Sequence, residues 1–275
     1  MNLCYLIIFL FGLVIGSFLN CVIFRLEKGE SFLKGRSYCP NCRHQLSWQD
    51  LVPVFSLLFL RKKCRYCQKP ISWQYPLVEI ITGIIFVLIF WKLGLMNYLG
   101  FGIRNLEFIY YLIISSLLIV IFVYDLKYYI IPDGVVFSAI GIVFLYNLGF
   151  MIWNLFGHWS LGFGILNPLI NPLLSAIFAS LFFLVIFLVS RGKWMGFGDV
   201  KLAFFMGLFL GFPKILTALF LAFFIGAIIG VCLIIFGKKK FSSEVPFGPF
   251  LVMGTFLALL FGEKLINWYL GFITI

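Results

Sequence analysis

The sequence predicts an all-α polytopic membrane protein of about eight transmembrane helices, with a small polar domain inserted between spans 1 and 2. Three observations carry this expectation. Of 275 residues, 63% are hydrophobic and only 11% charged, where soluble domains are near half apolar and about a quarter charged. The mean hydropathy is +1.10. The charges also leave long gaps: residues 1–24, 108–124, 134–190, 215–237 and 245–262 carry none. A helix needs ~20 apolar residues to cross a bilayer. This composition excludes a disordered chain, and the alternating pattern of a membrane barrel is absent.

Span 1 covers about residues 3–24. It lacks a basic start and a small-residue cleavage site, so it reads as a retained helix and not a signal peptide. Residues 25–79 then hold 14 of the 31 charges and four of the seven cysteines, which marks the polar domain. Spans 2 to 5 are expected at about 77–95, 108–125, 134–153 and 169–190. Between the last two lies a loop with His158. Arg191-Gly-Lys-Trp-Met-Gly-Phe-Gly-Asp-Val-Lys201 follows, and the next apolar stretch breaks at Gly211-Phe-Pro-Lys214. That leaves a short span 6 (about 200–211), span 7 (about 214–236) and span 8 (about 249–271). The expected division is a first helix at 1–24, a four-cysteine domain at 25–76 and a membrane-embedded core at 77–275.

Basic residues mark cytoplasmic loops. With the polar domain inside and the spans alternating, 17 of the 21 Lys and Arg fall on the inner side and 4 on the outer. The net charge of +11 therefore reflects topology and anionic lipid, not nucleic-acid binding.

Cys39-Pro-Asn-Cys42 and Cys64-Arg-Tyr-Cys67 are two CxxC pairs. Each is followed by a similar phrase, Arg43-His-Gln-Leu-Ser-Trp48 and Gln68-Lys-Pro-Ile-Ser-Trp73, so the two look like pseudo-repeats facing one metal. Four thiolates suit Zn²⁺ and leave no open position, which points to a structural ion. Two disulfides are the alternative, disfavoured on the cytoplasmic side. Cys4, Cys21 and Cys232 lie in spans and read as small apolar residues.

Ionisable groups that border hydrocarbon are expensive and tend to be functional. Asp125 follows seventeen uncharged residues, and Asp199 sits in Gly196-Phe-Gly-Asp199 just before a span. At matching depth they could face each other and share one proton, the ionised member acting as base on a water. The plainer reading pairs Asp125 with Lys127 and Asp199 with Lys201, or makes Asp199 a helix-start residue. Asp133 reads as the N-cap of span 4.

Taken together, these motifs resemble the type IV prepilin peptidases, a family of polytopic aspartic proteases. The matching residues are Gly16-Ser-Phe-Leu-Asn-Cys-Val-Ile-Phe-Arg25, the two CxxC pairs, Tyr75-Pro-Leu-Val-Glu79, Asp125 with Ile131-Pro-Asp133, Gly196-Phe-Gly-Asp-Val-Lys201 and Pro246-Phe-Gly-Pro-Phe250. They occur in order over about residues 12–250. The resemblance implies that Asp125 and Asp199 are the catalytic pair of a bacterial inner-membrane enzyme. It implies cleavage of the basic leader from type IV prepilins and type II secretion pseudopilins at the cytoplasmic face, after a glycine and usually before Phe. It also implies N-methylation of the new terminus with S-adenosylmethionine, an activity linked to the cysteine domain. Glu79 matches a family glutamate and takes no assigned role. The loop Lys238–Phe250 is expected, from its position, to line the cleft.

Two rivals make different demands. A proton-coupled transporter places carboxylates near the midplane, whereas these lie at one margin. A non-enzymatic assembly factor docking through its zinc module would leave both aspartates dispensable.

Overall fold

The computed structural model describes residues 2–31, 35–54, 56, 62–95, 103–157, 167–236 and 245–273. The loop around His158 and the Lys238–Lys240 run lie outside the described residues. Among the described residues there are eight α-helices: α1 (Asn2–Lys28), α2 (Gln74–Leu93), α3 (Ile103–Tyr128), α4 (Asp133–Gly157), α5 (Asn167–Ser190), α6 (Phe197–Leu210), α7 (Lys214–Ile235) and α8 (Gly248–Ile273). Seven of them are long and apolar enough to cross a membrane. The exception is α6, at 14 residues, or about 21 Å at 1.5 Å per residue. The expected short sixth span is thus a short helix here too. The only extended pairings among the described residues are two isolated bridges, Tyr38 with Gln45 and Lys63 with Pro70.

The chain divides into two compact units, Met1–Val120 and Ile121–Ile275, with the boundary inside α3. In the first, α1 packs along α2 in close register. An added Cβ at Gly12 would stand 2.6 Å from Gly83 Cα, and one at Gly16 2.6 Å from Glu79 Cα. Small residues at these points let the two backbones meet, the usual device where lipid supplies no hydrophobic drive between helices. Phe86, Ile89 and Leu112 form a buried cluster beside this seam. At the end of α1, Arg25 is buried and donates to the carbonyls of Ser31 (2.9 Å) and Arg36 (3.0 Å). Its guanidinium so orders the chain as it leaves the helix for the polar segment.

In the second unit, α6 is the central element and packs against α4, α5, α7 and α8. Eight of its 14 residues are buried, among them Leu202, Ala203, Phe205 and Met206. Gly207 lets its backbone approach Ala176 of α5. The Asn171 side chain ties the far end, accepting from the Phe212 N–H (2.7 Å) and donating to the Phe212 carbonyl (3.2 Å). Outer faces of the long helices carry exposed Leu, Ile, Val and Phe, for example Leu181, Val185 and Leu188 on α5. That is the expected surface of a helix facing lipid.

Candidate active site and metal centre

Local sequence builds each half of the carboxyl site. Asp125 lies in the last turn of α3, which ends when Tyr129 turns to φ +58° and donates its N–H to the Asp125 carbonyl (2.9 Å). Asp199 lies in the first turn of α6, behind Gly196 in extended conformation at the N-cap. The Asp199 carboxylate accepts the Gly196 N–H, and the Asp199 N–H reaches the Gly196 carbonyl (3.2 Å). This is the back-reaching half of a capping box, in which an acidic residue three places into the helix takes up an orphan donor.

Both carboxyls are buried, at 4% and 7% exposure, and the charge on Asp125 acts on Asp199. Residues 74 apart in sequence are therefore brought within electrostatic reach. A third segment joins them: the Gly248 N–H, at the start of α8, donates to the Asp125 carboxylate. Glycine lets this segment come so close, because a Cβ at 248 would collide with Asp125 Oδ2.

Ile131 locks the three segments together. An added Cβ at Gly198 would stand 3.0 Å from Ile131 Cβ, and one at Gly248 3.2 Å from Ile131 Cδ1. The buried isoleucine thus sits between the glycines that flank the two aspartates. The lysine pairings expected from neighbourhood in sequence are not the ones formed. Lys201 bonds Asp133 at 2.8 Å, and Lys127 reaches the Tyr128 hydroxyl at 2.6 Å. Asp133 is the first helical residue of α4 and not its cap; the Pro132 carbonyl receives the first helix bonds, from Val135 and Val136. Of the segment 238–250, the described part begins at Val245 and brings Gly248 to Asp125. Phe247 beside it packs its ring on Phe183 and Phe223.

The four cysteines form the second site. Their sulfurs all lie within 4.8 Å of one another, with Cys39 and Cys67 at 3.9 Å. A tetrahedron with metal–sulfur bonds of ~2.3 Å has edges of ~3.8 Å, so the donor set fits Zn²⁺. All four are free thiols, and no disulfide joins them. The pseudo-repeat is real at the level of hydrogen bonds. In the first knuckle the Cys39 N–H meets the His44 carbonyl and the Arg43 N–H the Cys39 carbonyl; in the second, Cys64 and Lys69 then Gln68 and Cys64 repeat this, all at 2.9–3.0 Å. Arg43 (φ +56°) and Gln68 (φ +59°) take the same left-handed turn.

Burial opposes ionisation of Cys39, but the backbone donors at Cys42 and Asn41 and the adjacent thiols prevail and bring its pKa down to about 7. At Cys67 a backbone bond from Lys69 favours the thiolate. Burial and the other three sulfurs outweigh it, and the pKa rises to about 11. Four sulfurs this close cannot all ionise until a cation joins them.

Two family models match the chain: the bacterial peptidase A24 N-terminal domain over residues 10–93 and the type IV leader peptidase family over residues 112–231. Fold and comparison agree on a multi-pass helical membrane enzyme of the aspartic peptidase class. More particularly, the chain belongs to the type IV leader peptidase family. It is 31% identical to the prepilin leader peptidase/N-methyltransferase of Aeromonas hydrophila, across 96% of this chain and 93% of that one. The protein of the same name from Bacillus subtilis (strain 168) is 31% identical, across 96% and 97%. That of Legionella pneumophila is 29% identical, across 98% and 95%. No solved structure matches.

Proposed function

We propose that this chain cleaves the basic leader from type IV prepilins and pseudopilins at the cytoplasmic face of a bacterial inner membrane, using Asp125 and Asp199. We further propose that it methylates the new N-terminal amine with S-adenosylmethionine. The observation that carries the first part is the burial of two electrostatically coupled aspartates in one unit. In this reading the two carboxyls hold one proton between them. The ionised member takes a proton from a water as that water attacks the scissile carbonyl, and the other donates to the carbonyl oxygen. A proton then passes to the leaving amine. The Gly248 and Gly196 N–H groups hold the two carboxylates in place. The substrate's apolar helix arrives laterally from the bilayer and sets its Gly–Phe junction at the membrane margin.

The domain reading supported best is the expected one, with a zinc-bound cytoplasmic module at 25–76 and a membrane core at 77–275. Zn²⁺, held by Cys39, Cys42, Cys64 and Cys67, would supply folding energy to a segment with little apolar core. The names of the relatives support methylation.

The test is incubation of the purified protein with a prepilin, with and without S-adenosylmethionine, read by mass spectrometry for leader loss and added methyl. Asp125→Asn and Asp199→Asn should each lower cleavage at least ~10³-fold while the protein still inserts and folds. Full activity in either variant rejects the mechanism.

A further inference from the structure

A buried polar cluster lies in the first unit, whereas Asp125 and Asp199 both lie in the second. The register of α1 on α2 sets Gly12 against Gly83 and Gly16 against Glu79, and the Asn20 amide donates to the Tyr75 carbonyl (3.0 Å). Glu79 and Asn20 therefore stand about one helical turn apart on facing helices. Glu79 is 7% exposed. It accepts the Val54 N–H (2.7 Å) and the Ser17 hydroxyl. Among the described residues no lysine or arginine pairs with it. Asn20 is 2% exposed, and its Oδ1 has no hydrogen-bond partner among the described residues. The amide cannot be turned round, because Oδ1 would then face the Tyr75 carbonyl.

Val54 adds a third sign. Its φ is +60°, a conformation that a β-branched residue adopts only at a cost of ~1–3 kcal/mol. Its N–H is the one that Glu79 holds. A structural helix seam needs none of these features. A buried carboxylate without a cation, an unused buried acceptor and a strained backbone held against them together describe a site that is completed by a ligand. Asn20 Oδ1 is an acceptor with no partner and Glu79 a carboxylate with no cation among the described residues, so the ligand must be a donor and, beside a carboxylate, a cation.

We propose that Glu79 and Asn20 bind an ammonium group for the methyl-transfer activity. This rests on the methylation reading above. Two reactants carry that chemistry: the α-ammonium exposed by leader cleavage, which passes a proton to Glu79 before its lone pair takes the sulfonium methyl and releases the neutral thioether, and the α-ammonium of S-adenosylmethionine. Glu79 supplies charge and Asn20 Oδ1 a directional acceptor, while Val54 and Ser17 fix the carboxylate.

The experiment uses full-length protein in nanodiscs and follows cleavage and methylation separately. Glu79→Gln should keep leader cleavage within about twofold and lower methylation at least tenfold. A raised KM for S-adenosylmethionine alone assigns the site to the donor; a raised KM for a leaderless pilin peptide alone assigns it to the amine. Asn20→Leu is the second variant, since it removes the unsatisfied oxygen. The variant also loses the bond to the Tyr75 carbonyl, so a merely structural asparagine predicts lower thermal stability with methylation intact in the folded protein, whereas a binding asparagine predicts methylation lost in the folded protein as well. Retained methylation in Glu79→Gln overturns the site, as does a parallel loss of cleavage in a folded variant. Failure of the unaltered protein to methylate overturns the methylation reading and this proposal together.

Discussion

One added methyl group at residue 248 tests the carboxyl site. In Gly248→Ala the new Cβ would overlap Asp125 Oδ2 and stand 3.2 Å from both Asp125 Cγ and Ile131 Cδ1. The backbone at 248 is not left-handed, so alanine brings no conformational strain of its own. Alanine also keeps the N–H that bonds Asp125. The whole effect is therefore steric. Ile131 is buried and cannot swing away, so the carboxyl must retreat by roughly 1 Å, a displacement that costs on the order of 100-fold in rate. That is ~2.7 kcal/mol of transition-state stabilisation. Overpacking should lower stability by about 1–3 kcal/mol. The assay is initial-rate cleavage of a purified prepilin in nanodiscs, with thermal unfolding to confirm the fold. Gly141→Ala is the control, because nothing lies within 4 Å of the methyl it adds. It should cleave at the normal rate. If Gly248→Ala does so too, Asp125 is not working where the structure puts it.

Gly16→Ala should force α1 from α2, since its Cβ would meet the Glu79 backbone at 2.6 Å and backbone cannot yield. Thermal unfolding in detergent should fall by several degrees, and an unchanged midpoint would contradict the helix register. The metal centre should hold one zinc per chain by elemental analysis, and Cys39→Ala or Cys64→Ala should abolish it. Because ligation displaces protons from thiols such as Cys67, with its pKa of about 11, zinc loading should acidify a weakly buffered sample and affinity should fall with falling pH. Loading without proton release would exclude a thiolate site.

What could be read from the sequence was whatever is local or set by the bilayer. The knuckles were legible because a CxxC turn is complete within four residues and the second copy follows 25 residues later. The place of Asp125 at the end of a long helix was legible because an uncharged run of seventeen residues precedes it. Partners of side chains were not. Lys201 is two residues from Asp199 yet turns to Asp133, because successive side chains on a helix face different ways. The Gly248 contact joins residues 123 apart, and no periodicity announces it. Ile131 stands in a matching motif, but only packing reveals that two glycine motifs close on it. Asn20 and Glu79 lie in a matching motif, but an orphaned acceptor becomes visible only when its surroundings are known.

The shortness of α6 bears on how the protein is made. At 14 residues it falls below the ~17–25 that cross a bilayer as a helix. Nor can it dwell in lipid by itself with an acid in its first turn. In the folded protein α4, α5, α7 and α8 sheathe it. Asp199 thus meets Asp125 only when this half of the protein is packed, and on the proposed mechanism a partly inserted chain has no assembled site.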